Sequence, residues 1–432
     1  MPEIIDLLLR GAVQLLTCRS SDGEPKRGAA LSNCGIETDA AVAVVDGKIL
    51  AVGGRGEVER AIGDTTVANV IDVEGRVVLP AWVDPHTHAV FSKYRPDEYE
   101  ARIRGESYLE IARKGGGIVR TVREVRDMDE DQLFEVSRRR LLKMQEQGTT
   151  TIEIKSGYGL DTENELKMLR VIARLGREMP LDVVPTFLGA HSTPPEYARS
   201  ADYVDAVIEE MIPAVVEGHL AEFIDVFCES GVFDLEDTKR IFEEGQRRGL
   251  GLKIHADEIN SLGGTELAVE MGAVSAEHLI KVSDRGIEML SRSRTIAVLL
   301  PGTIFGLGLR AYAPARTLID SGAAVALATD FNPGSAPSSS MQLTVALACS
   351  QMGMTPAEAI NAATINAACA VRRERDAGSL EVGKKADMVV YDIEDYREIP
   401  SRAGQNQAMI VLKEGHVVWE SQGVAARSEV GF

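Results

Sequence analysis

The sequence predicts an α/β protein: a (β/α)8, TIM-like barrel over residues 76–378, with a small composite β-sandwich domain formed by the chain ends, 1–75 and 379–432. Three observations carry this. Eight short apolar, largely β-branched stretches alternate with helical ones through the middle of the chain, the rhythm of parallel strands with helical crossovers. Each terminal segment holds strand pairs too small to bury a core alone, so the two are expected to pack together. Histidines and acids gather at the ends of the eight stretches, where such barrels place their chemistry. An open doubly wound sheet is the alternative, but no GxGxxG follows the first strand.

In chain order, Asp6–Leu16 and Ala40–Gly53 are strand-like, the second a hairpin turning at Asp46-Gly47. The barrel strands follow: Val77–Asp84, Thr149–Lys155, Leu181–His191, Phe223–Glu229, Leu252–Glu258, Ala273–His278, Thr295–Pro301 and Ala323–Asp330. Asp131–Gln147, Thr162–Glu178, Asp234–Arg248 and Asp284–Ser293 read as intervening helices, and Thr162 with Glu165 forms a capping-box pattern. The chain closes on Ala386–Asp392 and on a hairpin, Met409–Trp419, that turns at Glu414-Gly415.

Composition limits the partners. A net charge of −19 argues against nucleic acid and anionic membrane surfaces, and an anionic substrate would need a local basic residue. Five scattered cysteines without CxxC spacing fit a reduced cytoplasmic protein. The acidic start is unlike a signal peptide, and no uncharged apolar run is long enough to span a membrane.

The chemistry starts at Val83-Asp84-Pro85-His86-Thr87-His88. Residues i and i+2 of an extended chain share a face, so His86 and His88 present two imidazoles together, half of a divalent metal site. Reading the remaining strand ends gives Lys155, His191, Glu229, His255 with Glu258, His278 and Asp330; five of the seven histidines lie at such ends. His86, His88, His255 and Asp330 supply three nitrogens and one carboxylate with room for water, a set suited to Zn²⁺ and open to Fe²⁺. Asp330 can take a proton from the attacking water, His278 can stabilise an oxyanion, and Glu258 can exchange protons with a substrate nitrogen. Lys155 and Glu229 raise the question of a carboxylated lysine and a second metal, but neither sits in a pattern that demands it, and one ion is expected.

These ligands, at strands one, five and eight of a barrel flanked by terminal β segments, resemble the metal-dependent amidohydrolase superfamily. Within it the chain is most similar to the imidazolonepropionase family. The resemblance rests on 84-DPHTHAVF-91, the triple glycine 115–117, 153-EIKSGYGLD-161, 187-FLGAH-191, 225-DVFCE-229, 255-HADE-258 and 328-ATDFNPG-334. It implies hydrolysis of the cyclic amide of 4-imidazolone-5-propionate to N-formimino-L-glutamate in histidine degradation, with one zinc or iron ion per subunit on His86, His88, His255 and Asp330. It also implies His278 as the catalytic histidine, and substrate contacts from Arg95, Tyr158, His191, Glu258, Asn332, Gly334, Ser335 and Tyr108. A homodimer is the expected assembly.

The residues agree with that implication. A propionate needs a cation, and Arg95 follows His88 by seven residues on the loop leaving strand one. Gly157 and Gly159 let the chain turn sharply around Tyr158. The triple glycine lacks the GK[ST] ending of a phosphate loop, so a flexible loop over the site is expected there. Arg120 stands where a small residue is expected, and Ser92-Lys93-Tyr94 replaces a more glycine-rich approach to Arg95. The same ligands fit two rival readings. Another amidohydrolase, such as a cyclic amidine or purine deaminase, would use the same ligands but has no need of a carboxylate clamp. A non-catalytic barrel scaffold would not be expected to keep all four ligands with Glu258 and His278.

Overall fold

The computed structural model describes residues 4–106, 110–111 and 114–422. Eight parallel strands run in chain order around one sheet: Trp82–Asp84, Thr149–Lys155, Asp182–Ala190, Phe223–Cys228, Gly251–Ala256, Ser275–His278, Ile296–Leu299 and Val325–Leu327. The ends of the sheet meet where Thr87 bridges Phe331 in parallel, with the Asp330 amide donating to His86 O at 3.1 Å and the His88 amide to Phe331 O at 2.9 Å. All eight predicted strands are present, so the barrel is nearly closed. Helices Glu130–Gln145, Thr162–Glu178, Leu235–Arg247 and Asp284–Ser291 lie where the periodicity put them. No described helix is long and apolar enough to cross a membrane.

Contacts divide the chain into two units: Met1–Asp84 with Lys143–Thr151 and Ser340–Phe432, and Pro85–Leu142 with Ile152–Ser339. Beside a short parallel pair, Ile4–Ile5 with Thr66–Val67, the first unit contains two larger sheets. One has six strands, in the order His416–Glu420, Ala408–Lys413, Met388–Tyr391, Val77–Pro80, Gln14–Leu16, Ile36–Glu37; the other has four, Lys48–Gly54, Ala40–Val45, Leu7–Ala12, Val70–Asp72. Alternate residues of both share one core, including Leu7, Leu9, Val42, Val44, Val78, Met388, Val390 and Leu412. Both ends of the chain therefore contribute to one β unit. The two hairpin turns are as expected, with positive φ at both central residues: Asp46 (49°) with Gly47 (74°), and Glu414 (49°) with Gly415 (75°). This primed-turn geometry matches the twist of the flanking strands.

Two local expectations need correction. Val77–Asp84 is not one barrel strand. Val77–Pro80 pairs antiparallel with Met388–Tyr391 and parallel with Gln14–Leu16, and only Trp82–Asp84 enters the barrel. The switch takes one residue: the Ala81 amide donates to Asp387 O at 3.0 Å and the Trp82 amide to Gly148 O at 2.9 Å. Gly148 permits the junction, because at φ 98° a β-carbon would meet Val389 Cγ2 at 2.8 Å and Trp82 Cδ1 at 3.2 Å. The second correction concerns the capping box at Thr162. Asp161 is the cap, its carboxylate accepting from the Asn164 amide at 2.8 Å. Glu165 is buried elsewhere.

Candidate metal centre and active site

Strand-end backbone turns aim the site residues inward. Asp330 (φ 54°), Asp257 (50°), His278 (75°) and Leu279 (59°) all leave the extended region. Such positions cost a non-glycine residue conformational energy and collect at functional sites. His86 Nε2 lies 3.3 Å from Asp330 Oδ1, His88 Nε2 lies 3.5 Å from the same oxygen, and His255 Nε2 is 3.4 Å from His88 Nε2. Ligands about 2.1 Å from a tetrahedral ion are about 3.4 Å apart, so the donor set fits a zinc-sized cation. His86 Nε2 is buried facing Asp330 Oδ1, and an ion bound there would displace its proton and take the lone pair. Two metal-competent groupings arise here, His86–His88–His255 and His86–His278–Asp330.

The opposite edges of the ligand rings are fixed by carboxylates. His86 Nδ1 pairs with Glu277, and His255 Nδ1 lies 3.1 Å from Asp225. Such partners set the tautomer and orient the metal-facing nitrogen. Burial pushes the His86 imidazole down, but Glu277, aided by Asp330, outweighs it and raises the group to about 9. Burial, together with the neighbouring histidines His191, His86 and His255, holds His88 well below its usual value and leaves it neutral, as a ligand must be. Burial raises the Asp330 carboxyl, yet the hydrogen bond and charge of His86 and His278's proximity bring it down to about 2, an anion, with Thr303 holding its other oxygen.

His278 sits beside the ligands, its ring centroid 5.2 Å from that of His255, and burial lowers it to about 3. Its Nδ1 is 3.6 Å from Glu258 Oε1. Burial first, then Asp330 and Glu229, push the Glu258 carboxyl up to about 8, so it carries a proton at neutral pH. Glu229 joins no metal-competent grouping among the described residues. It pins the loop bearing Glu258, accepting from the Ile259 amide at 2.9 Å and from Asn260 Nδ2 at 2.9 Å. His191 stacks on His88 with centroids 5.0 Å apart, and Tyr158 lies 5.9 Å from His88. Gly157 allows this: at φ 101° a β-carbon there would meet His191 Nδ1 at 2.9 Å. Glu165 accepts from the amides of Gly157 (3.0 Å), Gly159 (2.7 Å) and Leu160 (2.9 Å), so one buried carboxylate shapes the loop around Tyr158.

Arg95 is buried against the last strand's loop. Its Nε faces Glu98 at 3.2 Å and its Nη1 donates to Thr121 at 3.0 Å. A β-carbon on Gly334 would fall 1.7 Å from Arg95 Nη2, so the guanidinium occupies the space left by the missing side chain. Asn332 organises the same loop, its Oδ1 accepting from the Gly334 and Ser335 amides at 2.8 Å each and its Nδ2 donating to Ser335 Oγ at 2.9 Å. Glu98 also receives the Gly117 amide at 2.9 Å, which ties down the triple glycine. The two unusual features of this region meet at Glu124: Ser92 donates to it at 2.7 Å and Arg120 at 3.2 Å, while Arg120 also pairs with Asp97. Tyr108 lies outside the described residues. A cavity of about 530 Å³, lined by Asp97, Glu98, Ile111, Lys114, Arg120 and Glu124 among others, contains none of the histidines.

Sequence reasoning did not single out Glu153, Asp225, Lys253 and Glu277. All four are fully buried, in a cluster with Lys155. The signal was available. Glu153-Ile-Lys155, Lys253-Ile-His255 and Ser275-Ala-Glu277 place polar residues two apart in otherwise apolar strands, hence on one face. Charges on a buried face must be paired. Lys155 Nζ sits 2.8 Å from Glu153, 2.7 Å from Asp225 and 3.0 Å from Glu277, and these charges overcome burial to keep the ammonium protonated. A charged amine cannot be carboxylated, which disfavours the bridging-lysine alternative.

The pattern of the Amidohydrolase family matches residues 310–418. Curated relatives match along almost the whole chain. An imidazolonepropionase of Geobacillus kaustophilus is 49% identical over 414 residues, 95% of this chain and 97% of the relative. One of Symbiobacterium thermophilum is 46% identical over 425 residues, 98% of this chain and 99% of the relative. Among solved structures, an adenosine deaminase from Xanthomonas campestris with bound zinc superposes at a TM-score of 0.72 and 17% identity, covering 96% of this chain and 93% of that one, a likeness of fold.

Proposed function

The chain belongs to the imidazolonepropionase family of amidohydrolases, and from that premise we propose how its barrel mouth opens the ring of 4-imidazolone-5-propionate to N-formimino-L-glutamate. The observation that carries the reading is the convergence of His86, His88, His255 and Asp330 within 3.3–3.5 Å of their neighbours in the set. These four would hold one zinc or iron ion, which when bound lowers the pKa of water from about 15.7 towards 7 and polarises a carbonyl.

This chain's residues do the rest. Asp330, ionised and fixed by Thr303, takes the proton of the water that attacks the ring carbonyl carbon. His278, neutral, donates to the carbonyl oxygen as negative charge gathers there. Glu258, protonated near neutral pH, gives its proton to the departing ring nitrogen, so the amide C–N bond breaks without expelling an unstable anion. Arg95 pairs with the propionate, its direction set by Glu98, Thr121 and the bare backbone of Gly334. Tyr158 and His191 flank the ring beside His88, and the loop built on Asn332, Gly334 and Ser335 borders the carboxylate. A deaminase reading of the same ligands leaves Arg95 without a role.

We read the protein further as a cytoplasmic homodimer that acts on a small anion and binds neither membrane nor nucleic acid. The free thiols of all five cysteines support the compartment, the net charge of −19 supports the absence of nucleic-acid and anionic membrane partners, and the dimer is what the family resemblance implies. Metal removal tests the core of the mechanism. Chelation should abolish ring opening, and Zn²⁺ or Fe²⁺ should restore it; full activity in a metal-free preparation would defeat the proposal.

A further inference from the structure

Beneath the four candidate ligands lies a second layer of charge that the reaction does not use. Glu153, Asp225 and Glu277 surround Lys155 Nζ at 2.7–3.0 Å. Lys253 Nζ adds contacts to Glu153 at 3.2 Å, Glu277 at 3.1 Å and Pro85 O at 3.0 Å. Every one of these side chains is fully buried. Two of the carboxylates are those that orient His86 and His255, so Lys155 joins the supports of two ligands. Asp225, Glu277 and His255 also form a metal-competent grouping of their own, and the ammonium contacts both of its carboxylates.

Formal charge makes the arrangement specific. Counted with the imidazoles as neutral ligands of a bound ion, three carboxylates against two ammonium groups leave one negative charge, and Asp330 makes two. One divalent cation at the four-ligand site neutralises the buried set. A second would leave it strongly positive in a place that excludes water, where uncompensated charge is costly. We propose that Lys155 is a built-in counter-cation: it fills the place a second metal ion would take and limits the centre to one. The proposal rests on the four-ligand metal reading given above. Lys155 is a positioning residue, since it touches the supports of the ligands and no reacting atom.

The test counts metal. Wild type and Lys155→Met are loaded with excess Zn²⁺, stripped of unbound ion by gel filtration, and assayed for zinc per chain. Parallel Mn²⁺-loaded samples are examined by electron paramagnetic resonance. Wild type should hold one ion with an isolated-ion spectrum. Lys155→Met should hold two, with the exchange-coupled spectrum of a close pair. Lys155→Met/Glu153→Gln, which removes one charge of each sign, should return towards one. A single uncoupled ion in Lys155→Met overturns the proposal. If Lys155→Met does not fold at one equivalent, its refolding is titrated with Zn²⁺: recovery saturating at two equivalents supports the proposal, and no recovery at any level overturns it. Wild type that holds no zinc, or that keeps its zinc after His86→Ala, would instead fail the underlying four-ligand reading.

Discussion

Arg95 and Gly334 act as one device. The guanidinium lies where a side chain at 334 would be, so Gly334→Ala should displace it as effectively as Arg95→Gln removes it. A charge-assisted hydrogen bond contributes roughly 1.5–3 kcal/mol, so either change should raise KM roughly 10- to 100-fold, with kcat less affected. Steady-state kinetics decide it: an unchanged KM in Arg95→Gln takes Arg95 out of the substrate site. His278→Ala should lower kcat by roughly 10²- to 10³-fold while metal content stays at the wild-type level. Metal loss in that variant would make His278 a ligand, a role its place in the His86–His278–Asp330 grouping permits. At this scale the sequence was most readable where spacing alone implies geometry, as in His86-Thr87-His88. It was least readable for Glu277, which meets His86 across 191 residues of chain through the closure of the barrel.

Local patterns named the right helices and strands but not always their joints. The Thr162 helix shows why. Asp161 caps it, and Glu165, free of that duty, turns back to hold the Gly157–Leu160 loop. One carboxylate accepts from three buried amides, and burial raises its own pKa against those hydrogen bonds. Glu165→Ala should therefore cost roughly 2–4 kcal/mol, read from the midpoint of urea unfolding. Removing the exposed Arg292–Glu288 pair should cost less than about 1 kcal/mol. Equal midpoints for Glu165→Ala and wild type would mean that the loop holds its shape without the carboxylate. The Val77–Asp84 run hid its division for a related reason. Both halves are fully buried and, up to Asp84, apolar, and what separates them is the direction of two successive amides, which composition does not encode.

For the whole molecule, the barrel and the composite β unit were legible because each follows from periodicity repeated over many residues. The alternation of charges along single strands was legible too, but the partners within the buried ionic layer were not, because they depend on which strand faces meet inside the barrel. That layer leaves the centre negative until a cation arrives. Metal binding should therefore stabilise the fold by mass action, with chelation lowering the thermal midpoint and added Zn²⁺ restoring it. A midpoint indifferent to chelator would mean the four residues hold no ion in the folded protein. The chemistry itself is tested most directly by product analysis of the metal-loaded enzyme with 4-imidazolone-5-propionate. One N-formimino-L-glutamate should form for each substrate consumed, with no ammonia. Ammonia release with the ring left closed would contradict it.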